Sequence, residues 1–163
     1  MQRKSILFVC LGNICRSPTG EAVMQHYLQQ HGAEHDVHVD SAGTIGYHTG
    51  NPADSRMRTA GEKRGFSFRS RSRKITHEDL ETFDLVIAMD RENLSDILEL
   101  NAEPTAEVKL LSDFLDDSWP LDVPDPYYGG DEGFETVLDM IQASVEPLFL
   151  YLTQEDLTQE DSQ

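Results

Sequence analysis

Val9-Cys10-Leu11-Gly12-Asn13-Ile14-Cys15-Arg16-Ser17-Pro18 is the stretch that decides how this 163-residue chain folds. The apolar run Ser5 to Val9 reads as a buried strand, and Ser17-Pro18 opens a helical stretch. A strand feeding a short loop into a helix N-terminus gathers unpaired N–H groups and the positive end of a helix dipole. That is an anion site. An ordinary thiol is only about 3% ionised at pH 7, and a cradle of this kind stabilises the thiolate and arms it as a nucleophile. Arg16 adds a planar fork of donors suited to a pair of phosphate oxygens. Gly12 and Asn13 both tolerate left-handed backbone, as a loop with inward amides requires. The stretch reads as a phosphate-binding loop that attacks phosphorus with sulfur.

Working outward, short apolar runs recur at Ile6–Val9, Val37–Val39, Leu85–Met89 and Val108–Leu111. Helical patterns alternate with them, which predicts βαβ units and a parallel sheet. The first helix is expected from Ser17 to Gln30, pairing Val23 with Tyr27 and Met24 with Leu28, and ending at Gly32. A second runs from about Asp54 to Arg64 and closes at Gly65. After Asp90, Leu94, Ile97 and Leu98 share a face. The last helix carries Phe134, Val137, Leu138, Ile141, Val145, Leu148 and Leu152, with a kink or restart expected near Glu146 because of Pro147. Between Ser112 and Asp131 lies a long segment with three prolines and two glycines, of the kind that is often functional. Residues 1–152 read as one domain and residues 153–163 as an acidic, disordered tail, or else as a frayed extension of the last helix.

A net charge of −17 argues against general binding to nucleic acid or acidic membranes. Eight of the 13 basic residues fall in one segment: Arg56, Arg58, Lys63, Arg64, Arg69, Arg71, Arg73 and Lys74. It reads as a solvated basic face, or as a patch that steers an acidic partner. The N-terminal apolar run is too short for a signal peptide or membrane span, and two cysteines five apart suit reduced thiols in the cytoplasm. C-x4-C is a poor zinc motif, and His26, His31, His35 and His38 span a helix end and a loop, so no metal or other cofactor is expected.

Cys10 to Pro18 resembles the C-x5-R-S signature of the low-molecular-weight protein tyrosine phosphatases. The likeness extends through Asp40-Ser41-Ala42-Gly43, Asp54-x-Arg56, Ser72-Arg73-Lys74-Ile75-Thr76, Ala88-Met89-Asp90 and Asp125-Pro126-Tyr127-Tyr128-Gly129. The resemblance implies a four-stranded parallel sheet with helices on both faces, of the phosphotyrosine phosphatase I-like, flavodoxin-like type. It implies hydrolysis of phosphotyrosine in proteins, and of aryl phosphates, through a phosphocysteine on Cys10. Phosphate or another oxyanion would occupy the loop formed by Leu11, Gly12, Asn13, Ile14, Cys15, Arg16 and Ser17.

Physical reasoning alone does not choose the general acid among Asp113, Asp122 and Asp125; the family's Asp-Pro-Tyr-Tyr motif selects Asp125. Tyr47 and Tyr127 match the aromatic walls of the family's pocket. Ile14 stands where the related protein-arginine phosphatases carry threonine, and an apolar residue fits an aryl ring. Asn13 is expected to lock the loop through Ser41, with Ser70 in the place of a histidine found in some relatives. Asp90 is expected to support the loop or the following helix. Cys15 is either a buried loop residue or a partner that closes a protective disulfide with Cys10. Rival readings are arsenate reduction, a phosphocysteine carrier and a module that reads phosphotyrosine without cleaving it. The first lacks further cysteines, the second has no need of Arg16 or an acid, and intact catalytic residues count against the third.

Overall fold

A computed structural model describes the backbone of residues 3–161 and the side chains of residues 3–154. Strands β1 (Lys4–Cys10), β2 (Val37–Gly43), β3 (Leu85–Ala88) and β4 (Glu107–Leu110) form one sheet in the order β2-β1-β3-β4, with every pairing parallel. β1 from Ile6 onward and all of β3 are unbroken apolar runs because both strands are central and covered on both faces. From β1, Ile6, Phe8 and Cys10 enter one core, and Leu7 and Val9 enter the other. The first core also takes up α1 (Arg16–Gln30), α2 (Ser55–Lys63) and α5 (Asp131–Asp161). The second takes up α3 (Asp79–Thr82) through Leu80 and α4 (Arg91–Leu100) through Ile97. Helices therefore lie on both faces of the four-stranded sheet, as expected.

Because β1 has β2 on one side and β3 on the other, the chain reverses its direction of winding at the carboxyl end of β1. Open α/β sheets place ligands at such a switch point. The stretch from Cys10 to Arg16 sits there.

Local chemistry explains most boundaries. The Asp54 carboxylate caps α2 by accepting from the Arg56 N–H, and the Asp90 carboxylate caps α4 by accepting from the Asn93 N–H. Gly32 and Gly65, with φ of 64° and 93°, supply the left-handed turns that follow α1 and α2. The seven apolar positions expected on the last helix are all buried.

The structure departs from expectation in several places. β2 extends to Gly43, beyond the apolar Val37–Val39, because Asp40 and Ser41 serve partners rather than the core. Leu98 is exposed, so α4 is held by Ile97 with Leu94 half-buried. α5 runs through Pro147 rather than restarting near Glu146. The missing N–H there costs about 3 kcal/mol in a helix interior, offset by burial of Val145, Leu148 and Leu152 along the same helix. The backbone at positions 153–161, for which a tail or an extension of the last helix was expected, continues α5 to Asp161. Residues 162 and 163 lie outside the described residues.

Three of the eight basic residues of the 56–74 segment are held in ion pairs. Arg56 pairs with Asp54, Arg64 with Glu135 and Asp139, and Arg73 with Asp40 and Asp79.

Candidate active site

The loop after β1 is held by its carbonyls. The Cys10, Leu11 and Ile14 carbonyls accept from the N–H groups of Thr44, Ile45 and Asp54 at 2.9, 3.1 and 2.8 Å. Gly12 O accepts from Ser72 Oγ at 2.9 Å, and Cys15 O from Thr19 Oγ1 at 2.8 Å. In a planar trans peptide the next N–H points opposite to the carbonyl. Five carbonyls drawn outward therefore turn the N–H groups of Leu11, Gly12, Asn13, Cys15 and Arg16 toward the inside of the loop. This is the anion cradle.

Asn13 is the pivot. Its φ of 58° is the only positive value at a non-glycine among the described residues. Its side chain is buried and fully used: Nδ2 donates to Ser17 Oγ at 2.8 Å and to Ser41 Oγ at 3.0 Å, and Oδ1 accepts from the Arg73 N–H at 3.0 Å. Ser41 in turn donates to Glu21 Oε1 at 2.8 Å. Burial drives the Glu21 pKa up from 4.5 to about 7, against the Ser41 hydrogen bond and the charge of Arg73. Ser41 thus links Asn13 of the loop to Glu21 of α1. Ser70 does not: no hydrogen bond joins it to Asn13 or Ser41, and that segment reaches the loop through Ser72 and the Arg73 amide instead.

Cys10 Sγ lies 3.0 Å from Ser17 Oγ and accepts from the Ser17 N–H at 3.4 Å. The Ser17 hydroxyl already accepts from Asn13 and has one proton to give, to Ala42 O at 3.3 Å or to the sulfur. A thiolate would draw that proton. Arg16 is 3% exposed, and its Nη1 donates to Asp90 Oδ2 at 2.6 Å and to Val123 O at 3.0 Å. Burial acts to lower its pKa, but Cys10, Asp90 and Asp125 together raise it, so the guanidinium stays charged. Asp90 therefore supports both the helix and the arginine.

A cavity of about 350 Å³ opens above Cys10. Leu11, Gly12, Ile14, Cys15, Arg16, Asp125, Tyr47 and Tyr127 line it, as anticipated, together with Ile45, His48 and Tyr128, which were not. The side chains of Asn13 and Ser17 are not part of this lining and bond to one another beneath the loop. The three aspartates separate cleanly. Asp113 accepts from the Leu110 N–H, and Asp122 is clasped by Arg91. Asp125 alone of the three lines the cavity. Its Oδ1 accepts from the Tyr127 N–H at 3.0 Å, and its Oδ2 lies 3.7 Å from Arg16 Nη2.

Residues 5–162 match the model of the low molecular weight phosphotyrosine protein phosphatases. The chain belongs to that family. It is 40% identical over 153 residues to the low molecular weight protein-tyrosine-phosphatase YfkJ of Bacillus subtilis, covering 93% of this chain and 97% of that one. It is 44% identical over 137 residues to the human low molecular weight phosphotyrosine protein phosphatase, covering 82% and 86%. The crystal structure of a protein tyrosine phosphatase from Entamoeba histolytica, with Hepes in its active site, superposes with a TM-score of 0.88 at 41% identity. That match covers 94% of this chain and 99% of that one.

Two further features of this family member complete the site. Both thiols, Cys10 and Cys15, are unbridged and buried. Burial, then the nearby Asp54 charge, pushes the Cys15 pKa far above the ordinary thiol range. Among the described residues, no three His, Cys, Asp or Glu side chains gather as a metal site requires, and no helix is long and apolar enough to cross a membrane.

Proposed function

We propose that this chain hydrolyses phosphotyrosine in proteins, with Cys10 as nucleophile and Asp125 as general acid and base. One observation carries this reading: Cys10 and Arg16 of the loop after β1 and Asp125, more than a hundred residues later in the chain, converge on one cavity walled by Tyr47 and Tyr127. The inward N–H groups and Arg16 would hold three phosphoryl oxygens, leaving phosphorus facing Cys10 Sγ. The S–P bond forms as the bond to the tyrosyl oxygen breaks, and Asp125 Oδ2 gives that oxygen a proton. The resulting carboxylate then takes a proton from water, whose oxygen attacks phosphorus and releases phosphate and the thiolate. Ser17 and its N–H receive the sulfur each time.

Asp125 can hold a turn and serve as an acid at once, since the Tyr127 N–H uses Oδ1 and leaves Oδ2 on the side of Arg16. Tyrosine is the favoured leaving group because Ile14 and the tyrosine walls offer apolar contact to a ring. Cys15, adjacent to Cys10 in the cavity wall, would close a disulfide with an oxidised Cys10 sulfenic acid and release water, which a thiol reductant reverses. A nucleophile that must remain a reducible thiol suits the cytoplasm. Free phosphate would compete for the cradle.

Cys10→Ser is expected to abolish turnover of p-nitrophenyl phosphate, and Asp125→Ala to slow it, most of all for poor leaving groups. Full activity in Cys10→Ser would overturn the assignment.

A further inference from the structure

The segment that carries Asp125 has few ties to the rest of the fold. Within 124–130 the backbone groups bond locally, Tyr127 N–H to Asp125 Oδ1 and Gly129 N–H to Pro126 O, and Gly130 O accepts from the Gly133 N–H in the first turn of α5. Asp125 itself is exposed, and its pairing with Arg16 is a long one at 3.7 Å. A general acid needs closer control than that, because a proton donor misplaced by an ångström loses much of its effect.

One side chain from another element reaches this segment's backbone. Arg56 Nη2 donates to the Tyr127 carbonyl at 3.1 Å. The same guanidinium lies over the Tyr127 ring, 5.5 Å from its centroid, and over the Phe134 ring at the start of α5, 4.9 Å away. Asp54 holds the Nε–Nη2 edge of the fork: its carboxylate accepts from Arg56 Nε at 3.1 Å and at 3.0 Å from the same Nη2 that reaches Tyr127. The Asp54 N–H donates to Ile14 O at 2.8 Å, inside the nucleophile loop. A continuous bridge thus runs from Ile14 through Asp54 and Arg56 to Tyr127, whose N–H holds Asp125.

We propose that Arg56 is a positioning residue for the general acid, tying the segment that carries Asp125 to the loop that carries Cys10. The proposal rests on the reading of Asp125 given above. Arg56 does not line the substrate cavity; it acts through the Tyr127 peptide. A planar fork suits this task because it can hold a carboxylate and a carbonyl at once, which an ammonium on a flexible stem does less well.

The test measures kcat across aryl phosphates whose phenols span pKa values from about 7 to about 10, in wild type, Arg56→Met, Arg56→Lys, Asp125→Asn and Arg56→Met/Asp125→Asn. In Arg56→Met, kcat for phenyl phosphate should fall about tenfold more than kcat for p-nitrophenyl phosphate. Inhibition by inorganic phosphate should stay within about twofold of wild type, since the cradle is untouched. Arg56→Lys, a second variant should the first not fold, should give an intermediate slope. In the Asp125→Asn background, Arg56→Met should add less than a twofold further loss, because both act through one group.

A wild-type leaving-group slope in both Arg56 variants, or full additivity with Asp125→Asn, overturns the proposal while the acid reading stands. A wild-type slope in Asp125→Asn removes the acid reading, and the proposal with it.

Discussion

Glu21 is the residue at which the chemistry of the loop meets the stability of the fold. It is buried, accepts from Ser41, and through Ser41 and Asn13 is linked to Ser17 beneath Cys10. Its folded pKa of about 7 exceeds the ordinary 4.5. Between those values the folded chain keeps a proton that the unfolded chain releases. Stability from this group is therefore complete below 4.5 and lost as pH rises through about 7, up to about 3 kcal/mol. Glu21→Gln keeps the acceptor for Ser41 and removes the titration. Urea denaturation at pH 5 and pH 8 should show the glutamine variant gaining on wild type as pH rises; a difference independent of pH would show that Glu21 is already ionised at pH 5. None of this was legible in the sequence, where Glu21 looks like an ordinary helix surface position. The same holds for the Arg16–Asp90 pair, whose members lie 74 residues apart. Cys10, Arg16 and Gly12-Asn13 were legible because their spacing is local. Asp125 was legible only through the family's motif, since Asp113 and Asp122 are chemically equal until the fold pairs them elsewhere.

At the scale of elements, β1 and β3 announce themselves because a strand covered on both faces must be apolar throughout. The C-terminal half of β2 and the path of 72–75 do not, because their residues are chosen for what they hold. Gly43 is where these parts meet. It pairs with Cys10 across the sheet, its N–H donates to Arg73 O at 2.8 Å, and its carbonyl accepts from Ile75 at 2.8 Å. A Cβ there would lie 2.7 Å from Leu11 O and 3.1 Å from Asn13 N, which backbone atoms cannot relieve without moving the loop. Gly43→Ala should leave the far-ultraviolet circular dichroism spectrum native while kcat/KM for p-nitrophenyl phosphate falls about tenfold or more. Unchanged activity would mean that the cradle tolerates displacement. Pro147 does not end α5 for a complementary reason: the buried face on either side of it outweighs a single missing hydrogen bond.

For the molecule as a whole, three of the six arginines of the 56–74 segment are paired with carboxylates, which weakens the positive field that segment sets against the net charge of −17. An acidic phosphotyrosine peptide should then be repelled at low ionic strength, where charges act over about 30 Å, and less so at 0.15 M, where they act over about 8 Å. Raising sodium chloride across that range should increase kcat/KM for such a peptide, by about threefold; a decrease would reveal local positive steering at the cavity. The wider account depends on sulfur displacing the tyrosyl oxygen at phosphorus. Rapid acid quench of the enzyme during turnover of phosphorus-labelled p-nitrophenyl phosphate, followed by peptide mapping, addresses that step directly. Label at a stoichiometry approaching one per chain on the peptide holding Cys10, and absent in Cys10→Ser, is the predicted result. Turnover with no label on Cys10 at any quench time would contradict it.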